Sequence, residues 1–365
     1  MTNIFFTGCT GQLGSYLIKI FLMDKPSQDR KIFLLMREEN KENAKEKLIR
    51  LLRVLLKEDF SLELFNNIEI ILGNVVLDNL GLLTDTYEDL LGKIDVMYHC
   101  AALTDFSSTI DNVRTVNVLG TKNIIKFVEI SKKIKIFNYI SSIFVAGNYS
   151  GIYGEKDFDF SQKFNNAYER SKFEAELEVR RINNRLIKKI YRPSIVVGEF
   201  ATGETLYFQM FYQMLRLLCG EIYKKIPANP QAQLNLVPVD VAAQEIYILA
   251  NEEQSLPLNV YHIISPNDLT ISHVIDRARQ YFGFREPELI LEKMFRSEKL
   301  SVLLLKGIEP YIPYLNLQTK FKSSITRKIL EKANFLCPSL DDIFLTRVFE
   351  FANKKKFLRK KYRKF

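Results

Sequence analysis

A glycine-rich stretch near the start of the chain limits its fold more than any other feature of the sequence. TGCTGQLG (7–14) follows an apolar run at 4–6 that is typical of a buried strand, and a helical pattern at 15–23 comes directly after it. At such a junction the glycines let the backbone approach a pyrophosphate, and the helix N-terminus supplies free N–H groups and a positive dipole. A tight turn that binds nothing is the structural alternative, and a triphosphate P-loop is disfavoured because no Gly-Lys-Ser or Gly-Lys-Thr follows. We therefore predict a dinucleotide-binding turn.

Short apolar runs alternate with helical segments through the first two thirds of the chain. Helical periodicity is clear in NAKEKLIRLLRVLLKE (43–58) and in NVLGTKNIIKFVEISKK (117–133). The strand-like runs are KIFLLM (31–36), IEIIL (68–72), VMYHCA (96–101), IFNYISS (136–142) and KKIYRPSIV (188–196). Runs this short and apolar are typical of strands buried on both faces of a sheet. We predict an α/β fold with a Rossmann-type, doubly wound parallel sheet.

The regular alternation stops near GEFATGE (198–204), where we place the boundary to a second, smaller lobe. The predicted parts are an NADP-binding Rossmann domain at 1–197 plus about 234–264, a C-terminal substrate-binding lobe at 198–233 plus 265–345, and a final helix end with a basic tail at 346–365. Within the lobe, TLYFQMFYQMLRLLCG (205–220) fits a core helix better than the lining of an acyl tunnel, since an apolar helix needs no ligand to explain it.

Cysteine and histidine are too sparse for a metal site or a disulfide framework. The four cysteines are scattered, none forms a Cys-x-x-Cys pair, and the chain has three histidines. We expect no metal and a reducing, cytoplasmic environment. The first strand begins too early for a signal peptide, and no uncharged apolar run reaches the roughly 18 residues of a membrane span. We therefore expect neither secretion nor a membrane-spanning segment.

The net positive charge of the chain is concentrated at its C-terminus. The last twelve residues, KKKFLRKKYRKF, carry eight of the nine net positive charges, so residues 1–353 have a net charge of only +1. We therefore expect no nucleic-acid partner. A basic tail with interleaved aromatic residues fits peripheral contact with an anionic membrane or with an acidic partner such as a carrier protein. A solvated, frayed terminus is the alternative.

The residue after the second predicted strand indicates which nicotinamide dinucleotide would bind. That strand ends in Met36-Arg37, where an acidic residue would hold the ribose of NADH. An arginine is suited to bidentate pairing with the 2′-phosphate of NADPH. NADPH is therefore the predicted cofactor and NADH the less favoured one, with a solvent-facing charge at Arg37 as the structural alternative.

Three side chains in the middle of the chain form a candidate catalytic set. Tyr168 and Lys172 are four residues apart, which places them on one face of a helix, and Ser142 stands at the end of a predicted central strand. A nearby ammonium would lower the pKa of the tyrosine from its ordinary value of about 10, and the serine would bond the substrate oxygen as charge develops there. Taken singly, the three fit a strand-end cap, a core aromatic and a surface charge. Together, behind a nucleotide-binding turn, they favour catalysis.

Several motifs together resemble the extended short-chain dehydrogenase/reductases. They are TGCTGQLG (7–14), HCAALTDF (99–106), VNVLGT (116–121), Ser142 with Tyr168 and Lys172, and YRPSIVVGE (191–199). The resemblance covers about residues 2–275 of the chain. It implies that Ser142, Tyr168 and Lys172 are catalytic and that Asn117 helps to maintain a proton path.

The resemblance also implies a set of cofactor contacts on the glycine turn, the strand ends and the catalytic helix. They are Thr7, Gly8, Thr10, Gly11, Gln12, Leu13, Gly14, Arg37, Asn74, Val75, Ala101, Ala102, Tyr168, Lys172, Pro193 and Ser194. Two positions depart from the family's common pattern. Gly73-Asn74 stands where many members have Gly-Asp near the adenine, and Ser141-Ser142 offers two hydroxyls for one role. We choose Ser142 because the IFVAG after it matches the register of the family.

Later motifs narrow the resemblance to one branch. RPSIVVGEFATGE (192–204), LNLVPVDVAA (234–243) and VYHIISPNDLTISHVID (260–276) look most like the thioester reductase and fatty acyl-CoA reductase branch, also called the male sterility type. The resemblance implies NADPH-dependent reduction of an acyl thioester, on coenzyme A or an acyl carrier protein, to an aldehyde and in some members onward to the alcohol. Two alternatives stay open: an epimerase, dehydratase or reductase of a nucleotide sugar, and a non-catalytic NADPH-binding scaffold that docks through the basic tail. No motif indicates an acyl-chain length or an oligomeric state.

Overall fold

A seven-stranded sheet, parallel throughout, forms the centre of the protein. The computed structural model describes residues 2–24, 30–106, 108–183, 185–221, 223–253, 256–296 and 307–359. The described strands are β1 Thr2–Thr7, β2 Arg30–Met36, β3 Ile68–Leu72, β4 Val96–His99, β5 Ile136–Ile140, β6 Gly151–Tyr153, β7 Ile187–Pro193, β8 Ile195–Val197, β9 Lys225–Pro227, β10 Gln233–Leu234, β11 Leu236–Pro238, β12 Leu258–Ile263, β13 Leu269–Thr270, β14 Glu288–Ile290 and β15 Thr319–Phe321.

The order of the strands in the sheet is that of a doubly wound fold. From edge to edge it is β12-β7-β5-β4-β1-β2-β3, so the direction of winding reverses between β1 and β4. The carboxyl ends of these two strands are therefore where a ligand cleft is expected. The predicted Rossmann-type α/β fold is confirmed. Shorter strands pair outside this sheet, β8 with β11, β9 with β14 and β6 with β15 in parallel, and β10 with β13 in antiparallel orientation.

Helices cover both faces of the sheet and build the second lobe. The described α-helices are α1 Gln12–Met23, α2 Lys41–Leu56, α3 Thr84–Lys93, α4 Ile110–Val113, α5 Gly120–Ile130, α6 Ala167–Arg181, α7 Met210–Cys219, α8 Val239–Asn251, α9 Ile271–Phe282, α10 Glu292–Arg296, α11 Ser324–Lys332 and α12 Asp342–Lys354. None of the helices within the described residues is both long and apolar enough to cross a bilayer.

Neighbouring residues of β1 show how the sheet is buried. Side chains alternate along a strand, so Phe5 and Phe6 point to opposite faces, and both are fully buried. The Phe5 ring lies 5.4 Å from that of Phe127 on α5, whereas the Phe6 ring lies 6.4 Å from that of Phe21 on α1. Two apolar layers therefore hold the sheet between helices, which fixes the ends of its central strands.

Local backbone interactions shift two of the predicted helices. The helix expected at 43–58 is α2, which begins earlier because the Asn40 side chain caps it, and which ends before Lys57, whose φ is +52°. The helix expected at 117–133 is divided. Its start belongs to a π-helical turn at Arg114–Leu119, and α5 continues from Gly120.

The second lobe has its own apolar core, in which α7, α9 and α12 meet. Leu215, Ala278 and Val348, one from each helix, are fully buried in it. The core helix expected within 205–220 is α7, which begins only at Met210. The proposed division of the chain into domains stays a prediction, and Leu330 of α11 packs with the sheet although it lies within the region assigned to the lobe.

The basic tail begins inside this second core. Phe357 stacks on Phe208 with ring centres 4.3 Å apart, and Leu358 is 2% exposed. Residues 354–359 are therefore partly packed rather than frayed. Residues 360–365, which carry four of the tail's positive charges, lie outside the described residues.

Candidate active site

Two close backbone contacts shape the glycine turn between β1 and α1. A Cβ on Gly8, whose φ is +74°, would lie 2.5 Å from the backbone nitrogen of Ala101, which follows β4. A Cβ on Gly14 would lie 2.2 Å from the Gly8 carbonyl oxygen. Gly11 has more room, with that same oxygen 3.4 Å away, and it caps α1 without a side-chain hydrogen bond. The first N–H groups of α1 are therefore available to an anion.

Two adjoining clefts meet at this turn, at the carboxyl ends of the central strands. The outer cleft extends toward the ends of β2 and β3, and the inner cleft extends toward the end of β5 and the start of α6. Every residue predicted to bind cofactor lines at least one of them. The outer cleft contains Thr7, Gly8, Thr10, Gly11, Gln12, Arg37, Asn74, Val75, Ala101 and Ala102. The inner cleft contains Gly11, Gln12, Leu13, Gly14, Ala102, Tyr168, Lys172, Pro193 and Ser194.

Two basic residues lie in the far end of the outer cleft. Arg37 is exposed there, after the end of β2, as the sequence predicts. Lys47 of α2 lines the same cleft and forms an ion pair with Glu38. Lys47 was not predicted, and its sequence signal is weak: a lysine in the second turn of the helix that follows the second strand. The two cations make this end suitable for a phosphate group.

The hydroxyls of Ser142 and Tyr168 meet in the inner cleft. Ser142 follows β5, and its Oγ accepts a hydrogen bond from the Phe144 N–H at 3.2 Å. Tyr168 stands in the first turn of α6, which begins there because the Asn166 side chain accepts a 3.0 Å hydrogen bond from the Glu169 N–H. Burial raises the pKa of Tyr168 to about 12, although its hydrogen bond with Ser142 acts in the opposite direction. Tyr168 is therefore a neutral hydrogen-bond donor near pH 7.

Lys172 lies one turn further along α6 and is 2% exposed. Its Nζ donates a 2.7 Å hydrogen bond to the Ile140 carbonyl oxygen and lies 4.6 Å from the ring centre of Tyr139. Burial lowers the pKa of Lys172 to about 8, and Glu176 opposes that shift. The expected lowering of the Tyr168 pKa by this ammonium is not observed, because desolvation of the phenol dominates and Nζ is directed to the carbonyl.

Asn117 lies behind the clefts, in the π-helical turn. Its Nδ2 donates hydrogen bonds to Ser171 Oγ at 2.8 Å and to the Leu103 carbonyl at 3.0 Å, and its Oδ1 accepts one from the Leu103 N–H at 2.7 Å. The side chain is 1% exposed. Asn117 therefore joins α6 to the loop after β4, which forms one wall of the outer cleft.

A buried charge network, which sequence reasoning missed, separates the roles of the two neighbouring serines. Ser141 Oγ donates a 2.6 Å hydrogen bond to Glu176, which also pairs with Arg192 and Arg180 at 2.6 and 2.7 Å. Burial raises the pKa of Glu176, but the two guanidinium groups and Ser141 together lower it to about 2. The Ser141 hydroxyl is thus committed to this carboxylate, whereas the Ser142 hydroxyl lies in the cleft.

An aromatic wall closes the inner cleft beyond Tyr168. The Phe106 ring lies 5.2 Å from Tyr168 and 5.3 Å from Tyr314, and the Phe144 ring lies 4.8 Å from Tyr314. Tyr314 is held by a 2.6 Å hydrogen bond that its hydroxyl donates to Glu169. This wall was also missed, because residues 106, 144 and 314 are far apart in the sequence. It gives the cleft an apolar end beside the two hydroxyls.

Comparisons with known proteins agree on one family. The NAD-binding family described as Male sterility protein matches residues 6–246. The linear gramicidin synthase of Brevibacillus parabrevis is 27% identical over 362 residues, which cover 94% of this chain and 7% of that protein. The L-2-aminoadipate reductase large subunit of Penicillium chrysogenum is 26% identical over 305 residues, which cover 79% of this chain and 21% of that protein. The chain thus corresponds to a small part of the length of these curated relatives.

Among solved structures, the terminal R domain from the myxalamid PKS-NRPS biosynthetic pathway has a TM-score of 0.83 and 22% identity, and the alignment covers 99% of this chain and 92% of that one. This likeness concerns the fold. The family match spans the glycine turn, both catalytic hydroxyl positions and Lys172, and it confirms the branch that the sequence motifs resemble. The chain belongs to the male sterility protein family, a group of NAD-binding proteins with the extended Rossmann fold.

Proposed function

We propose that this protein is an oxidoreductase that uses NADPH to reduce an acyl thioester to an aldehyde. One observation carries the proposal: the Ser142 and Tyr168 hydroxyls meet where a dinucleotide-binding turn borders an apolar pocket. Membership of an NAD-binding family supports the nicotinamide cofactor. The name of a related protein, an aminoadipate reductase, supports the class of reaction.

The two hydroxyls have a defined task in this chemistry. When bound, NADPH supplies a hydride to the thioester carbonyl carbon. Ser142 and Tyr168 donate hydrogen bonds to the carbonyl oxygen, on which negative charge develops. Tyr168 is suited to donate because its pKa of about 12 keeps the phenol protonated. Cleavage of the C–S bond with uptake of one proton then releases a thiol and the aldehyde.

Lys172 and Asn117 support the hydroxyls from behind. We propose that Lys172, which lines the inner cleft, holds the cofactor ribose while it is itself held by the Ile140 carbonyl. Asn117 is a positioning residue, because it contacts Ser171 of α6 and the backbone of Leu103 rather than the cleft itself.

The preference for NADPH over NADH rests on the far end of the outer cleft. Arg37 and Lys47 supply two cations there, and the position after β2 carries no acid. Glu38 pairs with Lys47 in the absence of a ligand, and a 2′-phosphate would compete for the same lysine. We therefore infer that the phosphorylated dinucleotide binds more tightly.

The substrate is inferred from the aromatic wall and from the family. The wall at Phe106, Phe144 and Tyr314 suits an uncharged acyl group. The thiol carrier is coenzyme A or an acyl carrier protein, and the basic segment from Lys354 onward fits an acidic carrier, with an anionic membrane surface as the other partner of matching charge. We place the reaction in a reducing cytoplasm, where the four free cysteines are stable.

The proposal is tested by measuring NADPH oxidation and free-thiol release with a panel of short to long acyl-CoAs and the same acyl groups on a carrier protein. The expected result is coupled turnover that Tyr168→Phe reduces by about 100-fold or more. Tyr149→Phe, a matched change outside the clefts, should keep full activity. Tyr168→Phe with full activity would refute the assignment of roles.

Other outcomes distinguish the competing functions. Turnover of a nucleotide sugar, with the dinucleotide retained through the cycle, would replace the thioester reaction. NADPH binding without turnover of any thioester or nucleotide sugar, together with partner capture that is lost when residues 354–365 are removed, would indicate a scaffold.

A further inference from the structure

A short segment at 205–209, here called the strap, crosses the junction of the two clefts, and no motif assigns it a role. Thr205 Oγ1 accepts a 2.8 Å hydrogen bond from Gln12 Nε2. The Tyr207 N–H donates a 3.2 Å hydrogen bond to Gln12 Oε1. Both ends of the Gln12 amide are therefore bonded to the strap. Because Gln12 is the first residue of α1, the strap is tied to the helix N-terminus that receives the pyrophosphate.

Tyr207 and Gln209 extend the strap to both walls of the cleft. The Tyr207 hydroxyl donates a 2.7 Å hydrogen bond to the carbonyl of Thr10 in the glycine turn. Gln209 Nε2 donates a 3.4 Å hydrogen bond to Thr104 Oγ1, in the loop after β4. Tyr207 lines the outer cleft, and Gln209 lines both. The strap therefore bridges the two walls where the pyrophosphate and nicotinamide halves of a dinucleotide would meet.

Between these two residues, Phe208 faces the other way and anchors the strap in the second lobe. Its ring stacks on that of Phe357 at 4.3 Å and 14°, and it lies 5.1 Å from the ring of Tyr212 on α7. The Arg216 guanidinium lies 5.5 Å from the ring centre of Phe357 on its own side. Phe357 belongs to the start of the basic tail and lines neither cleft, so it reaches the cofactor site only through Phe208.

We propose that Tyr207 and Gln209 are positioning residues for the bound dinucleotide, and that Phe357, through Phe208, holds them in place. The inference rests on the proposed function in one respect, that a nicotinamide dinucleotide occupies the outer cleft. A dinucleotide beneath the strap leaves when the hydrogen bonds to Thr10 and Thr104 open. The strap therefore slows dissociation of the cofactor, and the packing of the C-terminal segment sets how firmly it does so.

The test is the dissociation rate of NADPH from the full-length protein, followed by stopped-flow fluorescence. Tyr207→Phe should increase the rate by about fivefold, the effect of one lost neutral hydrogen bond. Phe357→Ala should increase it by a similar factor, and Phe357→Tyr, which keeps the ring, should restore the wild-type rate. KM for NADPH should rise in the first two variants while kcat changes little or increases.

Two controls separate the anchor from general loss of packing or charge. Phe160→Ala removes a half-exposed ring that stacks on Tyr149 at 4.8 Å, outside the strap. Removal of residues 360–365 deletes four positive charges but retains Phe357. Both should leave the dissociation rate unchanged. Wild-type rates in Tyr207→Phe and Phe357→Ala would overturn the inference alone, whereas a wild-type protein that binds neither NADPH nor NADH would contradict the proposed function and this inference with it.

Discussion

Lys172 donates a 2.7 Å hydrogen bond from Nζ to the carbonyl oxygen of Ile140, the last residue of β5. Ile140 is two residues before Ser142, and Lys172 is one helical turn after Tyr168. The bond therefore joins the strand that presents the serine to the helix that presents the tyrosine. In this geometry the lysine spaces the two hydroxyls, in addition to bringing a positive charge to the cleft.

The lowered pKa of Lys172 predicts an alkaline limit to activity. Burial brings this pKa to about 8, so kcat/KM should fall above that pH if the ammonium is required. Glu176 opposes the shift, so Glu176→Gln should lower the pKa further and move the alkaline limb to lower pH. The contribution of Lys172 to stability has the opposite sign: the unfolded chain holds this proton more tightly, so stability rises with pH above about 8.

Profiles of kcat/KM against pH for the wild type and both variants check this prediction. Glu178→Gln is the matched control on the same helix, because Glu178 pairs with Lys122 and Arg181 at the surface. Its profile should match the wild type. Circular dichroism must show that Glu176→Gln is folded, since two arginines lose their partner. An unshifted limb in a folded Glu176→Gln protein would contradict the prediction.

Arg37 and Lys47 should determine the cofactor preference. Replacement of either by alanine should weaken NADPH binding by about 10- to 100-fold, the range of one lost charge-assisted hydrogen bond, and should leave NADH binding nearly unchanged. Fluorescence titration with both dinucleotides measures the ratio. Lys45→Ala, at an exposed position on the same helix, is the control and should change neither affinity. Equal losses for NADPH and NADH would exclude a 2′-phosphate site.

Three glycine-to-alanine changes should have three different effects. Gly14→Ala places a Cβ 2.2 Å from a backbone oxygen, so we expect a loss of about 3 kcal/mol in the free energy of unfolding. Gly11→Ala should fold normally but bind NADPH weakly, because its methyl group enters the cleft. Gly92→Ala, with nothing within 4 Å on α3, should stabilise the protein by about 0.5–1 kcal/mol. Denaturant melts and NADPH titrations distinguish these outcomes, and normal binding by Gly11→Ala would contradict a pyrophosphate site there.

Phe106 should limit the size of the acyl group. Phe106→Ala removes the ring between Tyr168 and Tyr314, so kcat/KM for bulkier acyl thioesters should rise by about tenfold relative to acetyl. Rates across an acyl panel give this ratio, with Phe65→Ala as a control ring outside the clefts. An unchanged ratio would mean that the acyl group lies elsewhere.

The parts of the site that the sequence predicted are those fixed by local geometry. Gly8 and Gly14 were recognisable because backbone atoms approach too closely for any side chain. Tyr168 and Lys172 were recognisable because a spacing of four residues puts them on one face of a helix. The fold was predictable for a similar reason, since strands buried on both faces leave short apolar runs in the sequence.

The features that were missed depend on contacts between distant segments. No local pattern connects Gln12 with Thr205, or Phe208 with Phe357, and these pairs are set by how the second lobe packs on the sheet. The pKa of Tyr168 was predicted with the wrong sign for the same reason. It depends on burial of the phenol and on where the Lys172 ammonium points, and neither is encoded in the residue types alone.

The π-helical turn at Arg114–Leu119 makes this part of the chain sensitive to insertions and deletions. A π turn holds one more residue than a regular helical turn, so it is equivalent to a single inserted residue. Each residue of an α-helix advances by about 100°, so deletion of one residue here would restore a regular helix and rotate Asn117 away from Ser171. A change in length that improves the helix would therefore damage the site, and variation in this segment should occur by substitution at constant length.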